Sequence, residues 1–185
     1  MTARTGMANL ISRWRRMVND GGTAVWTDDQ AQTVLDSHRV DFWQQELTPA
    51  IVVEGSATVY KAYSAPFSDL EEVGSGSAAW RLYNSTGTTI GTADYTPDYV
   101  RGIVLFTANQ VGSARYLDGR SYDLAAAAAD GWRERMASMA DDYTFSADGA
   151  TYNRSDWFKH CTQMADYYDR MTRPSSTIMV RSDLA

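Results

Sequence analysis

The sequence predicts an α+β protein: a helical domain of about four helices, an inserted small antiparallel β domain and an extended C-terminal tail. Three observations carry this. Apolar residues recur at helical spacing towards both ends of the chain, and between about 51 and 120 they give way to short β-branched and aromatic runs separated by turn signals. Pro174 then closes the last helical pattern. The expected organisation is 1–50 with 121–173 as a helical core, 51–120 as the β insert and 174–185 as the tail. With 185 residues, 44% hydrophobic and 12% aromatic, the chain has ample material for a core.

From Met7 to Val18, the residues Leu10, Ile11, Trp14, Met17 and Val18 form one helical stripe, which "NDGG" stops. Arg13, Arg15 and Arg16 lie off the stripe and read as a solvated face or a protein contact. A second helix begins at "WTDDQ", with Thr27 as N-cap, Gln30 completing a capping box, and Asp28 and Asp29 at the positive end of the dipole. Its face runs through Ala31, Val34, Leu35, His38 and Phe42, which predicts an end near Leu47 ahead of Pro49. The β region follows as "ATVYKAY", "AWRLYN", "TTIGT", "GIVLFT" and "ARYL". Within "GIVLFT" both alternating faces are apolar, as in a strand covered on both sides. "EEVGSGSAA" reads as a flexible loop.

After Asp123, Leu124, Ala128, Trp132, Met136, Met139 and Tyr143 restore helical periodicity, with alanines that permit close helix approach. A final stripe of Trp157, Cys161, Met164, Tyr168 and Met171, widened by Phe158 and Ala165, predicts an antiparallel partner. Between them "YTFSADGATYNRSDW" invites comparison with a calcium loop. With Gly149 in sixth place, the first, third, fifth and twelfth positions are Thr144, Ser146, Asp148 and Ser155, which supplies one carboxylate where such a loop needs several. Asp148-Gly149 is read instead as a turn and Asn153 as a helix cap.

The chemistry-bearing residues are sparse. The two histidines, His38 and His160, accompany no nucleophile motif, and the single cysteine, Cys161, rules out cysteine-based zinc sites. Acidic pairs at 71–72 and 141–142 are adjacent and point apart unless the fold converges them. No catalytic residue, cofactor or metal is expected. A net charge of −6 disfavours tight nucleic-acid binding, and the first eighteen residues contain neither a secretory signal nor a membrane span. Beyond Pro174, "SSTIMVRSDLA" places Ile178, Met179 and Val180 between Arg173 and Arg181, an arrangement suited to a partner's sheet or groove.

Taken in order, "WTDDQAQTVLDSHR", "TGTTIGTADYTPDYVRGIVLF", "YLDGRSYDLAAAAADGWRERMA" and "YTFSADGATYNRSDWFKHCTQMADYYDRM" resemble the head–tail adaptor (connector or neck) proteins of long-tailed bacteriophages, over about Ala24 to Arg173. The resemblance implies a structural virion protein, assembled in the bacterial host cytoplasm and placed at the head–tail interface. It implies a ring, of twelve subunits by family habit, below the portal protein and above head-closure or tail components. DNA would pass through without sequence-specific binding. Twelve chains of −6 carry about −72, which repels DNA from the channel wall. The sizeable β insert departs from the smallest helical adaptors. A rival reading is a carbohydrate- or protein-binding module presenting Trp80, Tyr83, Tyr95 and Tyr99; a second is a hydrolase built on His38 or His160.

Overall fold

Thr27 opens a helix through its own side chain: the hydroxyl accepts from the Gln30 amide at 3.3 Å, and Gln30 Oε1 accepts from the Thr27 amide at 2.8 Å. This capping box starts α2 (Asp28–Ser37) where the sequence places it. The computed structural model describes residues 3–21, 25–74, 80–138, 145–147, 150–152 and 154–173. Within them the remaining helices are α1 (Ala8–Met17), α3 (Leu124–Ser138) and α4 (Arg154–Asp169). The strands are β1 (Arg39–Glu46), β2 (Thr48–Glu54), β3 (Ala57–Ser64), β4 (Trp80–Tyr83), β5 (Tyr95–Asp98), β6 (Ile103–Phe106), β7 (Tyr116–Tyr122), β8 (Phe145–Ala147) and β9 (Ala150–Tyr152). The chain is α+β, with helices and antiparallel sheets segregated along it.

The predicted stripes build one helical core. Leu10, Ile11 and Trp14 of α1 pack with Ala31, Val34 and Leu35 of α2, with Ala127, Ala128 and Trp132 of α3, and with Cys161 and Ala165 of α4. Trp14 meets Trp26 edge-on at 5.1 Å, a favourable quadrupole arrangement. Small residues on α3 admit this bulk: a Cβ on Gly131 would lie 2.8 Å from both Trp14 Cζ2 and Val18 Cγ1. The α1 helix stops at Asn19, whose φ of 55° is the left-handed conformation that asparagine tolerates. α3 and α4 run antiparallel: Thr162 midway along α4 reaches Met136 late in α3, and the Arg173 amide just beyond α4 meets Asp123 just before α3.

The connection between these helices differs from the turn expected. Phe145–Ala147 and Ala150–Tyr152 pair as a hairpin, so strand is interposed where a simple helix-to-helix turn was predicted. Asp148, Gly149 and Asn153 lie outside the described residues, as do Met139 and Tyr143. Phe158 and Met171 face outward instead of extending the α4 stripe.

The largest correction is at the first boundary. The helix expected to reach Leu47 ends at Ser37, and strand begins at Arg39, so the β domain starts before residue 51 and extends past 120 to Tyr122. Phe42 falls on the helical period only by coincidence; it belongs to the β core, stacked on Phe67 at 4.6 Å. Two antiparallel sheets, ordered β1-β7-β4 and β2-β3-β6-β5, share that core through Phe42, Leu82 and Leu117 from one and Tyr63, Val104 and Phe106 from the other. Leu47 is the corner at which the chain leaves the first sheet for the second, its amide held by Arg115 O at 2.8 Å. "TTIGT" contributes only a bridge, Tyr83 with Thr89, while Tyr95–Asp98 forms the strand. β6 is covered on one face: Val104 and Phe106 are buried, but Leu105 is 49% exposed.

Candidate assembly interface

β2 is an edge strand, and all seven of its residues are exposed. Ile51 is 64% and Val53 69% accessible, with Val52 at 39% on the opposite side of the strand. Its single charge is Glu54 at the last position, ion-paired to Lys61 at 2.8 Å. The other edge of the same sheet, β5, is only four residues long and contains Pro97, which has no amide to offer a new strand. β2 carries a proline too, Pro49, but only at its second position, so the stretch 50–54 keeps its amides and presents a longer, apolar edge. β3 pairs with β6 only through Ala62–Ser64, so the outer half of the β2–β3 hairpin runs on beyond that strand. It is braced from the loop at 109–113 by the Tyr60 amide donating to Asn109 Oδ1 at 2.9 Å and the Gln110 amide donating to Tyr60 O at 2.9 Å.

A second apolar projection sits on β1, the edge of the other sheet. The β1–β7 register slips between Phe42 and Gln45, and Gln44 takes a φ of 46°. Buried Asp118 holds this bulge, accepting the Gln44 amide at 2.6 Å through Oδ1 and the Tyr83 hydroxyl at 2.7 Å through Oδ2. The hydrogen bond to Asp118 pushes the Tyr83 phenol up from its ordinary pKa. The bulge leaves Trp43 71% exposed, the most exposed tryptophan among the described residues.

The two domains are fastened by a polar cluster. Glu71, expected in a flexible loop, is fully buried; it accepts from Tyr122 OH at 2.7 Å and from Arg4 Nε at 3.1 Å. Arg4 also grips Asp36 through both terminal nitrogens, at 2.8 and 2.6 Å. Burial alone would raise the Asp36 carboxyl, but the hydrogen bonds and charge of Arg4 outweigh it and hold the group below the usual aspartate range. Hydrogen bonding to Asp36 raises the Arg4 guanidinium, and burial followed by the Glu71 hydrogen bond raises the Tyr122 phenol. Adjacent Glu72 points elsewhere, accepting from Asn9 at 3.0 Å. The acidic pair thus serves architecture on both sides, a role legible only once Arg4 and Tyr122 are placed.

Of the residues assigned to the tail, Arg173 is folded back onto its own chain. It donates to Ser121 Oγ at 2.6 Å and pairs with Asp69 at 3.0 Å, and its amide donates to Asp123 at 2.7 Å. This fixes where the tail departs. Ile178, Met179, Val180 and Arg181 lie outside the described residues.

The aromatics that would line a carbohydrate groove are mostly core. Trp80 and Tyr95 are buried and bonded to each other, Trp80 Nε1 donating to Tyr95 OH at 3.1 Å, with Tyr99 packed edge-on against Trp80. His38 Nε2 lies 2.7 Å from Asp130 Oδ2, and His160 sits beside the rings of Trp132 and Trp157. A groove of about 910 Å³ between α1 and the start of α2 is lined by residues such as Ala8, Ile11, Arg15 and Asp28, the last two ion-paired at 2.8 Å. Among the described residues no three His, Cys, Asp or Glu side chains are grouped to hold a metal ion, and no helix is long and apolar enough to cross a membrane. No protein-family model matches the chain, and no curated protein matches it.

Proposed function

We propose that this chain is a structural, non-catalytic subunit of a phage head–tail junction, assembling into a ring, of about twelve copies by family habit, between the portal protein and the head-closure or tail components. The observation that supports the reading best is the open edge of β2. A wholly exposed strand carrying Ile51, Val52 and Val53 is a liability in a free monomer and an asset in a subunit whose edge is covered on assembly. A closed ring joins two unlike surfaces of the same chain, and this chain offers β2, the Trp43 projection and a separate apolar tail. The order of its segments resembles the adaptor family, and a net charge of −6 per subunit suits a channel from which DNA is repelled. On this reading the subunit takes its place at the head–tail interface of the virion.

The test is electron microscopy of the purified chain, alone and mixed with the portal protein. Rings, or added density beneath the portal, are the expected result. A chain that remains monomeric at high concentration and leaves portal particles unchanged refutes the proposal.

A further inference from the structure

We infer that the open edge of β2 accepts residues 177–181 of a second copy of this chain as an added strand. The inference rests on the ring reading and names the contact that would close it. A cyclic contact needs a donor and a different acceptor on each chain. β2 is the acceptor: its neighbour β3 satisfies one side of its backbone, and the other side faces solvent beside exposed Ile51 and Val53. The donor must be extended, β-prone and apolar for three residues, and "TIMVR" has that composition.

The two patterns also match in register. The pairing of β2 with β3 shifts register between Ala50 and Val52 and is regular from Val52 to Glu54; along this stretch Ile51 and Val53 alternate with Val52, as Ile178 and Val180 would alternate with Met179 in an added strand. A parallel addition sets Ile178 beside Ile51, Met179 beside Val52, Val180 beside Val53 and Arg181 beside Glu54. Apolar pairs thus end in a pair of opposite charges. Arg173 anchors the point of departure through Ser121, Asp69 and Asp123. From there the five residues to Ile178 span up to about 17 Å, enough to stand clear of the donor's own surface.

The contact is tested by disulfide trapping in the full chain carrying Cys161→Ser, with Val52→Cys and Met179→Cys on separate chains that are mixed, with and without portal protein, and mildly oxidised. Should Cys161→Ser fail to fold, the same pair is made with the buried Cys161 retained. The expected result is a covalent dimer formed about tenfold more readily than with Val100→Cys in place of Val52→Cys, because a seated strand raises the local thiol concentration. With both cysteines on one chain, a ladder of multimers is expected. An intrachain disulfide without multimers, or no cross-link above the Val100 control, overturns the inference. Rings seen by microscopy without the cross-link would sink this contact and leave the ring reading standing; the ladder without rings or portal binding would do the reverse.

Discussion

Tyr122 donates its phenolic hydrogen to Glu71 at 2.7 Å, and both side chains belong to a region where the two domains meet. A carboxylate with no solvent contact depends wholly on such partners. Glu71→Gln keeps the shape but removes the charge facing Arg4 and Arg120, and is expected to cost about 3–5 kcal/mol, as loss of one member of a buried ionic cluster does. Urea denaturation read by tryptophan fluorescence measures it, and Glu72→Gln, at a half-buried position with its side chain bonded to Asn9 at the surface, should cost much less, about 0.5 kcal/mol.

The same cluster sets the pH range of the fold. Asp36 has its folded pKa lowered, so its contribution is complete above the ordinary aspartate value near 4 and is lost as pH falls through the lowered one. Tyr122 is raised, so its contribution is complete below about pH 10 and is lost as pH climbs through the raised value. Thermal melts across pH should show both flanks. Tyr122→Phe should shrink the alkaline one; an unchanged alkaline flank would show that Tyr122 does not set it.

Trp43 contributes little to the fold of a single subunit because its ring is in solvent. Trp43→Ala should leave the melting temperature within about 2 °C, while weakening assembly by at least about 2 kcal/mol if this ring anchors a partner. Sedimentation velocity with and without portal protein separates the two effects. Asp118→Ala is expected to do the opposite, lowering monomer stability by releasing the bulge.

Trp132 and Trp157 flank the Arg135 guanidinium, whose carbon lies 5.5 and 5.3 Å from their ring centres. Trp132 is 2% exposed and Trp157 only partly buried. Trp132→Ala should therefore cost about 3–5 kcal/mol and Trp157→Ala roughly half of that. Equal losses in chemical denaturation would mean that burial does not govern this pair.

The helical half was legible because its signals are local: Thr27 with Gln30 marked a helix start, and the stripe through Trp14 marked a buried face. The β boundary was not, because Phe42 sits at a spacing that suits helix and strand alike. Glu71 was misjudged for a different reason. Glycine and serine after it read as loop, whereas its burial is decided by Arg4 and Tyr122, 67 and 51 residues away. The β insert is consequently less separable than its continuous sequence implied, since excising 55–118 would remove Glu71 from the helical side of the joint. The proposed interface was half visible: the tail's composition was evident, but the strand edge depends on pairing that no single segment encodes.

Arg39 pairs with Tyr122, so the strand entering the β domain and the strand leaving it lie side by side. Three arginines from the helical side clasp this crossing: Arg13 and Arg173 on Asp69, and Arg4 on Glu71. Each clasp is ionic and at least one partner is reachable by solvent, so dissolved salt weakens the joint between the two halves of the chain. Hydrogen exchange at the Glu71 amide, bonded to Arg120 O at 2.9 Å, should quicken with ionic strength while amides in the middle of α3 hold their rate.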